Sequence, residues 1–181
     1  MRNHLGSQVT DNILFVHALL GCDTTSSLYG IGKKLGLKLI STNQVFLKQA
    51  KTFANRNSTK DDVIVAGEKA LIEVYKGQAV DKLDHLRLQR FHQKVGSSSS
   101  LVRPEVLPPT SAAAAYHSMR VYLQVQEWMG TGEHIKPEDW GWYKHDGKYL
   151  PVLTDKEAAP AALLDVVRCN CKTGCSTRHC T

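Results

Sequence analysis

The stretch that most limits what this chain can fold into is TSAAAAYHSMRVYLQVQEWMG, residues 110–130. Thr110 opens it as a helix cap and Gly130 stops it, which makes it the longest helical candidate in the sequence. Tyr122, Val125 and Met129 fall on one face of that helix, with Val121 and Trp128 beside them. The opposite side is expected to be exposed and able to pair with a protein partner or a second copy of the chain.

Other segments read as helices too. Val9–Leu20 is apolar at Ile13, Leu14, Val16 and Leu19, and Asp11 could cap it, although a buried strand fits the same run. Lys33–Ile40 and Asn43–Ala54 follow as short helices. Ser58 or Thr59 then caps DDVIVAGEKALIEVYK, where Val63, Ala66, Ala70 and Val74 recur at helical spacing and two aspartates sit in the positive first turn. Leu83–Val95 is a further helix. PEDWGWYKHDGKYLPVL has the aromatics, Asp-Gly turn and prolines of a short hairpin or docked irregular segment. Ala158–Val167 is a last short helix.

The fold class expected is therefore mostly α: a small helical domain with a glycine turn like that of a helix-hairpin-helix, an irregular C-terminal extension and a cysteine-rich tail. The division expected is residues 1–95 as the helical domain, a Ser/Pro linker at 96–110, the long helix with its Trp-rich extension at 111–167, and the tail at 168–181.

No stretch approaches the roughly 18 to 20 apolar residues of a membrane helix, so no membrane partner is expected. The N-terminus MRNHLGSQVTDN has no apolar signal core. Four of the five cysteines lie within the last thirteen residues, a pattern unlike a secreted disulfide framework. The expected location is intracellular, and nuclear given the partner argued next.

The formal net charge of +6 resides entirely in residues 1–60, where eight Lys/Arg face Asp11 and Asp23. Between Thr24 and Lys60 there are seven basic residues and no acidic one. Such a run is either a solvated face or a polyanion-binding surface. It begins at the turn Gly30-Ile31-Gly32-Lys33-Lys34. Gly30 and Gly32 leave backbone N–H groups uncovered at a helix N-terminus, where dipole and lysines together suit a phosphate. Lys38 lies one turn further on. Glycines at such a turn also serve plain helix packing.

ALLGCDTTSSLYGIGKKLGLKLI resembles the helix–two-turn–helix segment of the flap endonuclease (XP-G type) family. The resemblance makes Asp23 the last of the metal-binding carboxylates, with Mg2+ as the ion and Asp23 as the catalytic residue. It makes Gly30, Ile31 and Gly32 the hairpin that grips the DNA backbone, with Leu37 and Ile40 on the packed face of the next helix. The family's other carboxylates mostly precede this segment, and here only Asp11 does. An active site is therefore not complete in this chain, and Asp23 could instead cap the next turn.

CNCKTGCSTRHC places Cys169, Cys171, Cys175 and Cys180 at C-x-C-x3-C-x4-C, four thiols able to close a tetrahedral Zn2+ site, with His179 as a substitute ligand. This tail resembles the first half of a tesmin/TSO1-like CXC motif, a zinc- and DNA-binding module. Arg168, Lys172 and Arg178 give it a basic character. The two ends, joined by the segments quoted above, resemble a class of animal open reading frames associated with mobile elements. That resemblance implies a C-terminal portion of a nuclease-like protein.

Three functions follow as expectations. One is a nucleic-acid module, for DNA by resemblance, contacting phosphates through Gly30, Ile31, Gly32, Lys33, Lys34 and Lys38. Another is a helical interaction module or decayed fragment without a ligand. The third is a metal-dependent, structure-specific nuclease using Asp23.

Overall fold

The computed structural model describes residues 6–78, 80–97 and 102–156. Those residues are mostly helical. Six α-helices, α1 (Ser7–Leu19), α2 (Lys33–Thr42), α3 (Gln44–Ala54), α4 (Lys60–Val74), α5 (Leu83–Ser97) and α6 (Ser111–Trp128), precede a two-stranded antiparallel hairpin of β1 (Trp142–His145) and β2 (Lys148–Pro151). Single turns of 3₁₀ helix occur at Pro104–Val106 and Pro137–Asp139. The expected last helix and the cysteine tail lie outside the described residues.

Local chemistry accounts for most of the boundaries. Thr59 caps α4 in a complete capping box, accepting from the Asp62 N–H at 3.2 Å while the Asp62 carboxylate accepts from the Thr59 N–H at 3.0 Å. Asn43 caps α3 through Phe46 N at 2.8 Å and reaches Glu73 on α4 at 2.6 Å, which fixes the corner after α2. The segment Val9–Leu20 is a helix rather than a strand. It begins at Ser7 with Gly6 at the cap, so Asp11 lies inside the helix and does not cap it. Gly130 terminates α6 in the left-handed region (φ 73°), with Thr131 N donating to Gln126 O at 2.9 Å, a Schellman closure. The hairpin turns on Asp146 (φ 47°) and Gly147 (φ 76°), the positive pair that a type I′ turn requires.

The core surrounds α6. Every residue from His117 to Gln126 is buried, and α4, α1 and α3 pack against the helix. The exposed side expected for pairing is therefore absent along this segment. A helix of small and apolar residues with few charges is driven to the centre, where neighbours cover all its faces. It shares one apolar cluster with Phe15, Phe46 and Phe53, whose rings lie 5.5 and 4.7 Å from Phe15. Each fully buried aromatic contributes roughly 1.5 to 3 kcal/mol over the exposed state. Gly67 of α4 faces Ser118 so closely that a Cβ there would lie 1.9 Å from the Ser118 Oγ.

The long helix and the N-terminal helices thus belong to one core. The Ser/Pro segment also docks where described: Leu107 and Pro108 are buried, and Arg87 donates to Pro108 O at 2.5 Å. Glu68 ties three helices together, accepting from Leu83 N at 3.1 Å and Ser111 Oγ at 2.7 Å.

The polar side chains of α6 have specific partners. His117 bonds Leu19 O at 2.9 Å, Tyr122 donates to Asn55 O at 3.0 Å, and Gln126 donates to Phe53 O at 2.8 Å. Arg120 donates to Gly141 O at 3.2 Å and Val152 O at 2.5 Å, holding the hairpin. These bonds tie α6 to main-chain carbonyls at the ends of α1 and α3 and at the base of the hairpin.

Candidate nucleic-acid interface

The glycine turn is a β-turn from Leu28 to Ile31, closed by Ile31 N donating to Leu28 O at 3.1 Å. Gly30 occupies its third position with φ 71°, a conformation that favours glycine. Gly32 is the cap of α2 and has ordinary extended backbone. No side chain caps this helix end and its first turn holds no acidic residue. A Cβ built on Gly30 or Gly32 would meet nothing within 4 Å, so the turn opens onto space. Ile31 packs against the core and Ile40 is buried. Gly36 permits the close crossing of α2 on α1, where a Cβ would lie 2.6 Å from Val16.

The lysines divide into two kinds. Lys34 and Lys38, four residues apart on α2, are exposed and take part in no ion pair among the described residues. Lys33 turns inward instead: its Nζ donates to His17 O at 2.6 Å and to Gly21 O. A cation on the last carbonyls of α1 complements that helix's negative end. Burial lowers the Lys33 ammonium from its ordinary value, with the nearby Cys22 acting the other way. Lys33 is thus engaged in a structural contact, not presented with Lys34 and Lys38.

Asp23 is exposed in the loop between α1 and α2 and has no hydrogen-bond or ion-pair partner among the described residues. It does not cap that loop. Thr25 does so, accepting from Cys22 N at 3.1 Å and donating to Ala18 O at 2.7 Å. Burial pushes the Cys22 thiol up, but hydrogen bonds from Thr24 and Thr25 outweigh it and hold the thiol below its ordinary value. Among the described residues, no three His, Cys, Asp or Glu side chains come together to hold a metal ion. A two-metal centre needs several carboxylates around ions roughly 4 Å apart, and Asp23 has no such company there. The thiols of Cys169, Cys171, Cys175 and Cys180 lie outside the described residues.

Three of the remaining basic residues of the one-sign run have an acidic partner or share a groove with carboxylates. Lys60 pairs with Asp139 at 3.2 Å. Lys51 borders one groove with Asp61 and Asp62, and another with Asp11. Lys48 lies beside Lys69 and Glu73. No described helix is long and apolar enough to cross a membrane.

A further concavity, of about 300 Å3, between the Thr24 loop, the C-terminal half of α6 and the hairpin was not foreseen from the sequence. Arg120 lines it. A single arginine in a helical stretch reads as a surface residue, and only the packing of the hairpin over α6 shows otherwise. No family model matches the chain, and no curated protein or solved structure is significantly similar to it.

Proposed function

We propose that the chain is a nucleic-acid backbone-binding module, for DNA rather than RNA by the resemblance of its glycine turn, and catalytically incomplete alone. One observation carries the reading: an open, uncapped helix N-terminus at Gly30–Gly32 stands next to two exposed, unpaired lysines, Lys34 and Lys38. Backbone N–H donors, a positive helix end and mobile cations together recognise phosphate without reading bases. The wider reading is a nuclease-like, mobile-element-derived, nuclear protein of which this is one portion. Its cysteine tail would hold Zn2+ through Cys169, Cys171, Cys175 and Cys180, and Mg2+ would belong to Asp23 only alongside carboxylates from elsewhere.

The test is fluorescence anisotropy with a flapped DNA duplex at 50 and 200 mM salt, comparing wild type with Lys34→Glu/Lys38→Glu. Lys33 is left intact because it holds α1. Losing two phosphate contacts should lower the salt slope by about two, so the fourfold salt increase should weaken the variant about tenfold less than wild type. Absence of wild-type binding at 50 mM refutes the reading. Cleavage in a parallel magnesium sample, lost in Asp23→Ala, would restore the nuclease.

A second reading, a helical protein-interaction module, rests on α5. Leu88, Phe91 and Val95 recur there at spacings of three and four and are 52, 40 and 51% exposed. Sedimentation of wild type against Leu88→Glu/Phe91→Glu tests self-association through that stripe.

A further inference from the structure

The cleft over Arg120 contains a charge without a counter-charge. Arg120 is 3% exposed, and its two bonds to Gly141 O and Val152 O engage the same terminal nitrogen, Nη1. No carboxylate pairs with it among the described residues. Among those residues the sole sealed side-chain polar atom lacking a partner is His117 Nδ1. The unbonded N–H groups of Arg120 are therefore reachable, and the cleft is where the side chain lines open space. Gln124, one turn along the same face, behaves likewise. Its Oε1 accepts from Thr24, which leaves its Nε2 donor unbonded.

The rest of the cleft restricts what can meet these donors. Trp142 forms a wall, with the guanidinium 5.9 Å from its ring centroid, and Tyr149 lines the cleft from the second strand. Glu127 stands at the exposed rim, one further turn along α6. A buried guanidinium without a counter-charge favours an anion, and its planar fork matches a carboxylate through two parallel hydrogen bonds. Aromatic walls favour a flat apolar body. The rim carboxylate disfavours a second negative charge. The volume lies near the lower end of about 300 to 1,000 Å3 for small-molecule pockets.

We propose that this cleft is a binding site for a small planar monocarboxylate, such as an aryl carboxylate, whose carboxylate meets Arg120 and Gln124 while its ring lies against Trp142 and Tyr149. The site is separate from the glycine turn and does not depend on nucleic-acid binding.

The experiment titrates the full chain with benzoate, benzamide and terephthalate, read by amide and indole shifts in 15N spectra. Benzoate is expected to give saturable shifts at the Trp142 indole and the Gln124 side-chain amide. Benzamide, of the same shape without the charge, should bind at least tenfold more weakly. Terephthalate should also be weaker than benzoate and should recover about fivefold in Glu127→Gln, a surface change that leaves the core alone. Arg120→Lys should lose most benzoate binding if it remains folded. If it unfolds, Glu127→Lys takes its place and should tighten benzoate. Equal binding of benzoate and benzamide, shifts scattered away from the cleft, or indifference to the charge at residue 127 would each overturn the assignment.

Discussion

Moving this protein from pH 7.5 to 4.5 should cost it roughly 2 to 3 kcal/mol of stability through one side chain, His117. The imidazole is 5% exposed and bonds Leu19 O at 2.9 Å. Because that oxygen only accepts, Nε2 carries the hydrogen and Nδ1 is left as a buried acceptor without a donor. Burial pulls its pKa from 6.5 down to about 4; the Leu19 carbonyl opposes the shift and the nearby Arg120 charge adds to it. A depressed folded-state value means that the unfolded chain takes up the proton first. The stability is fully present above about pH 6.5, falls with pH through the interval, and levels off below about 4. Integrating between the two values gives the figure stated, which corresponds to roughly 5 to 10 °C in melting temperature for a domain of this size. Urea unfolding at both pH values, for wild type and His117→Gln, isolates the effect, since the glutamine amide can still donate to Leu19 O but does not titrate. Wild type should lose roughly 2 to 3 kcal/mol more than the variant. Equal losses in the two proteins would refute the assignment of the acid response to His117.

Three further outcomes follow from the packing. Gly67→Ala should destabilise by about 1 to 3 kcal/mol or more, because its Cβ would sit 1.9 Å from Ser118 Oγ and 2.5 Å from its Cβ, and adding Ser118→Gly should recover part of the loss in a thermal-melt cycle. Lys33→Gln should lower stability by roughly 1 kcal/mol through the lost bonds to His17 O and Gly21 O, whereas Lys34→Gln should leave the urea midpoint unchanged. Thr59→Ala removes the hydroxyl acceptor of the α4 capping box and should cost about 1 kcal/mol, read from the same unfolding curves.

Features set by near neighbours in sequence were legible. The α4 cap, the Asp146-Gly147 hairpin turn, the stop at Gly130 and a turn at Gly30 each depend on residues within a few positions, and each forms. What escaped depends on partners brought from afar. The run from Thr24 to Lys60 reads as one positive stretch, yet Asp139 meets Lys60, and Asp61, Asp62 and Asp11 line grooves together with Lys51. Lys33 reads as the twin of Lys34 until the end of α1 is found beside it. His117, Arg120 and Gln124 lie on the side of α6 away from Tyr122, Val125 and Met129, the side expected to be exposed, and Gln126 is a further polar residue of the helix. Their burial is matched by polar partners from other segments, main-chain carbonyls for His117, Arg120 and Gln126 and the Thr24 hydroxyl for Gln124, a condition that periodicity does not encode.

The central position of α6 has a consequence for the order in which the chain is made. Its ties run back to Leu19, Phe53 and Asn55 across sequence separations of 98, 73 and 67 residues. Among the described helices, those synthesised earlier are therefore the ones whose inner faces must wait longest for a partner. Until residue 126 has emerged, the apolar sides of α1, α3 and α4 have no central element to close on. During synthesis the nascent chain would present those faces to whatever surrounds it, and contacts of such long separation are slow to form even afterwards.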